Sequence, residues 1–476
     1  MRSRKAVILG GGPAGLYAAW TLLQLGFETH LIEREPVIGG LCASLPAGLN
    51  CYSHGTHAFH DADAKFLEEF RSLTGNNAIG KKRQVRMQLG GQLYPYPLRG
   101  IDLWRSLPVG LAMRCLGGFG GALLAAPFHR DRPGNAEEAI VRLYGRTLYE
   151  AMFADYTQRF WGMPVREISA EFVAQRMPRF NPAERVRSLL ARLGLGDRQL
   201  SSRRTELGAP VMYSTPRGMG AMFEVLAARI EGAGGRVQLG AEAVRVLCAN
   251  GSAQAVVWRR DGIEKEQECD LVVSTIPVRQ LAQRMEPARP SAALEAASGL
   301  HWLGMITVGL LVRKTQVLDG AVTYFHGRSF HRVSEPRQSG VAVYPSDCTT
   351  LLAEVTCKTS DKAWSQPSEL CAQVVRDLKA EGVVQPEDIV EQHLFRAEDA
   401  YPAYLVGFEP KLAVVRADLG TIRNLVSTGR QGRFDFMTAA TAMKMARADV
   451  LAGLARSSRS APSTPRPIHI ASAPFS

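Results

Sequence analysis

The chain opens on a short apolar run. Ala6-Val7-Ile8-Leu9 leads into Gly10-Gly11-Gly12-Pro13-Ala14-Gly15, and Leu16 to Leu25 follows without a single charge. An apolar run stopped by glycines predicts a buried strand, and the stretch after it predicts a helix. Thr29-His30-Leu31-Ile32 repeats the strand signal and ends in Glu33. Further along, 61–74 carries helical spacing, and 85–97 alternates about Gly90-Gly91 as a hairpin does. Residues 135–178 read as two helices joined near Gly162-Met163-Pro164. A turn at Arg217-Gly218-Met219-Gly220 opens a helix from Ala221 to Glu231. Strands are expected at 236–239, 244–247, 303–312 and 350–356, and Asp270 to Pro277 reads as a buried parallel strand. The last helix is expected to open at Gly429-Arg430-Gln431-Gly432 and to run to about Ala455.

Strands of the same type thus recur at both ends of the chain and in its middle. The fold class is α/β: a discontinuous Rossmann-like domain with a parallel sheet and other segments inserted into it. The expected units are 1–60, 210–285 and 425–455 for the nucleotide-binding domain. Residues 61–209 form a mainly helical insertion, 286–424 a β-rich substrate domain, and 456–476 a disordered tail rich in serine and proline. A length of 476 residues allows two or three domains.

Composition adds less. Apolar content is 46% and charged content 21%, as in globular proteins, and the net charge of +12 favours anionic ligands or surfaces. No basic run is interleaved with aromatics, which reads against nucleic acid. The eight cysteines are scattered without a C-x-x-C, which suits a reducing, cytoplasmic setting. Arg2, Arg4 and Lys5 before an apolar run resemble a secretory leader, but the glycines cut the run short and the first strand explains it better. Val109 to Phe128 is small and apolar. Arg114 and five glycines within it read against a membrane span. It is expected as a buried helical hairpin, with a membrane-touching lip as the second reading. The basic stretch 179–208 reads as a solvated loop. The pattern carries no signature of oligomeric state.

The chemistry lies in the first glycines. Gly10, Gly12 and Gly15 fit G-x-G-x-x-G. The first makes the turn, the second lets a pyrophosphate reach the backbone, and the third lets helix pack on strand. The tip of the helix, at Pro13 and Ala14, turns free N–H groups and the positive dipole end toward phosphates. Glu33 stands 18 residues past Gly15, where an acid accepts from both hydroxyls of an adenosine ribose. Three further stretches select FAD over NAD. Glu33-Arg34 is followed by the doublet Gly39-Gly40, the late strand ends in Thr275-Ile276-Pro277, and Gly429-Arg430-Gln431-Gly432 offers a second helix tip.

Taken in order, these motifs resemble the amine-oxidase-type FAD superfamily, and within it protoporphyrinogen-oxidase-like oxidoreductases and UDP-galactopyranose mutases. The resemblance covers about residues 4 to 455. It rests on GGGPAGL at 10–16, EREPVIGG at 33–40, YSHGTHAFHD at 52–61, YPYPL at 94–98 and LYEAMFADYTQRFWGMPVREIS at 148–169. AQRMP at 174–178, DLVVSTIP at 270–277, AYPAY at 400–404 and GRQG at 429–432 complete it. It implies FAD held by Gly10, Gly12, Pro13, Ala14, Gly15, Glu33, Arg34, Gly39, Gly40 and Leu41, with Val244 touching the adenine through its backbone. Gly429 and Arg430 would approach the flavin end.

His57 matches a histidine beside the flavin, and a plain loop hydrogen bond fits it equally well. His54, His57 and His60 are regularly spaced, yet no carboxylate completes a set, which reads against a metal. Arg176, Arg332 and Tyr401 fall where mutases grip a nucleotide pyrophosphate. Guanidinium suits that role because it stays charged and binds oxygens in pairs. The plainer readings are a helix-end Arg176 paired with Glu171, and a Tyr401 and Trp161 packed in the core.

The departures are as informative. Relatives carry a tyrosine where this chain has Phe436, and an Asp-His pair where it has Ala440-Thr441. The resemblance therefore implies first an FAD-dependent oxidoreductase acting on an anionic small molecule, such as a sugar or glycan precursor. The alternatives are a reduced-flavin-dependent nucleotide-sugar mutase and a catalytically degenerate flavin-binding protein.

Overall fold

A computed structural model describes residues 3–55, 59–61, 63–75, 77–82, 84–89, 91–95, 107–129, 131–176 and 211–459. In the first strand, Lys5–Leu9, Ala6 and Ile8 enter one core while Val7 and Leu9 enter another. Both faces of the sheet are therefore covered, as a parallel sheet requires. Five parallel strands stand in the order Leu425–Ser427, Leu271–Ser274, Lys5–Leu9, Glu28–Ile32, Arg236–Gln238. Helices Pro13–Gln24, Gly220–Gly232 and Ala439–Arg459 cover one face, and Phe408–Leu419 lies in the core of the other. The strand order reverses at Lys5–Leu9, so a crevice opens at the carboxyl ends of the strands beside it.

A second, mixed sheet of seven strands faces this crevice. Its spine, His301–Val312, pairs antiparallel with Thr349–Cys357 and Ile389–Ala403. Alternate residues Ile306, Val308, Leu310 and Val312 pack with helix Pro367–Ala380. Arg332–Ser334 and Val322–Tyr324 follow, and then the expected hairpin, Val85–Leu89 with Gln92–Pro95. Because that hairpin joins the second sheet, backbone hydrogen bonds cross the border expected between 61–209 and 286–424. The 15-residue strand Ile389–Ala403 escaped the sequence pattern. Glu391, Arg396, Glu398 and Asp399 break its apolar alternation, and its register with the spine shifts near Leu303.

Three expectations are corrected. Val109–Ala125 is one helix, extended by a 3-10 turn to Phe128, and not a buried hairpin. Its glycines weaken the helix without turning the chain, and only Ala112 and Cys115 are buried. Residues 135–176 form more than two helices. Gly145 (φ 83°) breaks the ladder after Ala136–Tyr144, and Gly162 ends the helix Ala154–Trp161 with a left-handed cap. Finally, Gly429–Gly432 is a four-residue helix of its own. Phe434 takes a left-handed turn (φ 50°), and the last helix starts only at Ala439 and runs to Arg459. The basic stretch 179–208 and residues 460–476 lie outside the described residues, as does His57.

Candidate functional site

The glycine turn packs as its spacing requires. A Cβ on Gly15 would lie 1.9 Å from the Gly10 carbonyl oxygen, so only glycine lets the helix sit this close to the strand. A Cβ on Gly12 would meet nothing within 4 Å. The backbone there is bare, which is the cradle a pyrophosphate needs. A Cβ on Gly40 would lie 3.2 Å from the Gly12 Cα, and the Gly39 N–H donates to the Gly11 carbonyl at 2.9 Å, so the second glycine doublet closes on the first. Glu33 is buried at the strand end. It accepts from the Gly11 and Glu35 N–H groups at 2.6 and 2.8 Å. Burial raises its pKa against those two hydrogen bonds. Arg34 is half exposed and pairs with Glu35 at 3.1 Å.

The two chain ends converge. A Cβ on Gly429 would lie 2.7 Å from the Ala14 Cβ, which places the GRQG turn against the tip of the first helix. Gln431 accepts from the Trp302 indole at 2.6 Å, and Thr428 donates to Asp449 at 2.6 Å, which fixes the turn. Arg430 lies over the Phe436 ring at 4.3 Å and over Tyr401 at 5.4 Å, and these two rings stack 5.4 Å apart. The Phe434–Phe436 loop is pinned by Tyr404, whose hydroxyl accepts from the Phe436 N–H at 2.7 Å and lies 3.1 Å from Asp435.

One cleft of about 1260 Å³ joins these parts. That exceeds the roughly 300–1,000 Å³ of ordinary small-molecule sites. Gly10, Gly12, Pro13, Ala14, Glu33, Arg34, Gly40, Leu41 and Arg430 border it. Gly15, Gly39 and Gly429 shape the backbone behind that wall. At the adenosine end the wall is made by Ala241, Glu242 and Ala243, with Val244 next along the strand. The bare Gly12 backbone, the buried ribose-facing acid and the converging turns fit FAD. His54 adds a further sign: it borders the cleft, and its Nδ1 is buried without a hydrogen-bond partner.

Beyond the glycines the same cleft forms a chamber bordered by Tyr156, Phe160, Tyr324, Tyr401 and Phe436. Arg332 brings a guanidinium to this wall, whereas Arg396 stands opposite Ile306, on the face packed by helix Pro367–Ala380, and lies 5.4 Å over the Trp364 ring. Arg332 Nε donates to Glu354 at 2.8 Å, and Nη2 reaches the other carboxylate oxygen. Glu354 is fully buried, with His331 Nε2 3.8 Å away. Burial opposes the charge on Arg332, but Glu354 more than offsets this and holds it protonated. His331 is pushed well down by burial and by Arg332. Tyr401 is buried, as its plainer reading had it, yet it also borders the chamber; its hydroxyl lies 3.6 Å from Met305 Sδ. Trp161 is buried. Arg176 ends the helix Ala170–Arg176, and its side chain, with the pairing expected to Glu171, lies outside what the structure describes.

Sequence reading missed Tyr156, Tyr324 and the buried partner Glu354. It also missed the tip of the last helix, where Thr438 Oγ1 accepts from the Thr441 N–H at 3.2 Å and Met437 to Ala440 border the cleft.

Comparison with known proteins agrees with this geometry. The profile of the family described as flavin containing amine oxidoreductase matches residues 13–407. A probable UDP-galactopyranose mutase of Klebsiella pneumoniae is 25% identical over 189 residues, which is 38% of this chain and 47% of that protein. The match thus spans about half the length of that relative. Among solved structures, a reduced UDP-galactopyranose mutase superposes with a TM-score of 0.77 at 20% identity, covering 95% of both chains. Putrescine oxidase bound to putrescine gives 0.64 at 15% identity, covering 95% of this chain and 99% of its own. At such identities the structures show a shared fold.

Proposed function

The chain belongs to the flavin-containing amine oxidoreductase family, with FAD as its cofactor, and on that premise we propose an FAD-dependent oxidoreductase acting on an anionic small molecule. Bound FAD supplies the two-electron acceptor, to be reoxidised by oxygen or another acceptor. The protein's part is to place a substrate C–H or C–N bond and to exclude water. The observation that carries the reading is the continuity of the glycine groove with an aromatic chamber bordered by Arg332 and Arg430. Guanidinium groups there would anchor a carboxylate or phosphate. Tyr401 and Phe436, stacked under Arg430, form a flat wall that would fix the orientation of the substrate.

A sugar or glycan precursor is the substrate class we favour. A nucleotide-sugar mutase working on reduced flavin is the second reading. It is favoured by Arg332 and Tyr401 bordering one chamber and disfavoured by Phe436 and Ala440, which offer no hydroxyl or imidazole. The test is anaerobic mixing of the FAD-loaded protein with a panel of anionic amines and sugar phosphates. Bleaching of the oxidised flavin band by one donor is the expected result. No bleaching by any donor, with turnover of UDP-galactofuranose after dithionite reduction, would replace oxidation by the mutase reading.

A further inference from the structure

We propose that the helix Val109–Ala125, with its turn to Phe128, docks this protein onto an anionic membrane surface. The helix is held on one side only. Cys115 packs with Leu148 and Met152, with Leu111 against them, and a Cβ on Gly145 would lie 2.5 Å from the Gly118 carbonyl, so the two backbones nearly touch. The other side is bare and apolar. Val109, Met113, Leu116, Leu124 and Phe128 are exposed, at 74, 57, 44, 77 and 82%. The spacing of Val109, Met113, Leu116 and Leu124, at i, i+4, i+7 and i+15, puts them in one stripe of the helix with Gly120 between, and Phe128 follows in the turn.

Soluble proteins rarely leave such a stripe uncovered. Charge selects the occupant. From Asp102 to Arg132 the sequence has four arginines, Arg105, Arg114, Arg130 and Arg132, against two aspartates, Asp102 and Asp131, and no carboxylate lies within 103–130. Arg114 is exposed on the helix itself. An apolar stripe with a net positive charge about it is the composition of a segment lying in the interface of an anionic bilayer. Val109–Phe128 is long and apolar enough to cross a bilayer by length and composition alone, but packed as it is the helix lies on the membrane. Its inner side is occupied by protein. The surface adjoins the cleft: Met152, which packs with Cys115, lies in the π-turn Tyr149–Phe153 that runs into the helix carrying Tyr156 and Phe160.

The test is flotation of the full FAD-loaded chain with phosphatidylcholine vesicles, with and without 30 mol% phosphatidylglycerol. The expected result is co-flotation with the anionic vesicles, weakened by high salt. The double change Leu124→Ser and Phe128→Ser should lower partition at least tenfold, with flavin content and melting temperature unchanged. Arg114→Glu should lower it only for anionic vesicles. No flotation of the parent chain, or equal partition of the double variant, would overturn the proposal. So would a dimer of the parent chain in solution that the double variant dissolves, since the stripe would then be an interface between copies.

Discussion

The groove and the chamber of this one cleft are built in opposite ways. In the groove, function rests on backbone: glycines that remove side chains, N–H groups turned inward, and an acid held by two of them. In the chamber, function rests on side chains from separate segments, with a buried ion pair at their centre. The first design makes glycine positions intolerant and charge nearly irrelevant. The second tolerates small shifts of backbone and is sensitive to each charge. Loss of a hydrogen-bonded partner inside a protein leaves an uncompensated group, which costs far more than the pair itself contributes.

The largest expected effect falls in the groove. Gly15→Ala places a Cβ where the Gly10 carbonyl oxygen already sits, 1.9 Å away. A clash with backbone has no rotamer to relieve it. We expect a loss of more than about 4 kcal/mol, seen as insoluble protein or a collapsed melting temperature. Gly12→Ala sharpens the contrast, since its Cβ meets only open space. The apoprotein should melt as the parent does, while FAD affinity falls at least about tenfold. A Gly12→Ala protein that binds FAD as tightly as the parent would remove the pyrophosphate from this backbone.

The chamber's counterpart is Glu354→Ala. It strands Arg332 beside a neutral His331 in a buried site. Breaking one half of such a pair costs about 3–5 kcal/mol. Replacing both partners, Arg332→Met with Glu354→Leu, should recover most of it, because well-packed apolar side chains substitute for buried ion pairs. Urea midpoints of the two variants decide the matter; a loss below about 1 kcal/mol for Glu354→Ala would mean that the pair is solvated. The loop on this pair should respond too, since a Cβ on Gly55 would lie 2.6 Å from the Glu354 carboxyl carbon.

The same contrast governs what the sequence could reveal. Gly10, Gly12 and Gly15 announce themselves because one spacing serves one backbone geometry, and Glu33 follows at a fixed distance. The second helix tip was read six residues or more too early. Phe434 takes a conformation usually left to glycine, so nothing in the pattern separates GRQG from the last helix. In the chamber, Tyr156, Tyr324 and Arg332 each look ordinary in their own segment, and only the packing of the helix on the sheet brings them together. One signal was available. Glu354 is the lone acid in the apolar strand Thr349–Cys357, and the register sets it directly opposite Arg332. An unpaired acid in such a strand demands a partner.

The smallest effect concerns the loop between the two regions. His54 sits over the groove, and burial holds its pKa down to about 4, slightly countered by Glu35. An unfolded histidine titrates near 6.5. The folded value is the lower of the two, so the unfolded chain binds the proton more tightly. Stability from a neutral His54 is therefore complete above about pH 6.5 and is lost as pH falls toward 4, by at most about 3 kcal/mol. Glu33 has the opposite sign: burial raises its pKa, so its contribution is complete below its unfolded value and is lost as pH rises through the folded one. His331 and His326 are also depressed by burial, but both remain in a His54→Asn protein. Subtracting the urea stability of that variant from the parent, between pH 7.5 and 4.5, thus isolates His54. The difference should be flat down to about pH 6.5 and then move steadily against the parent. Parallel curves across the whole range would place His54 in water, and would take the loop away from the wall of the cleft.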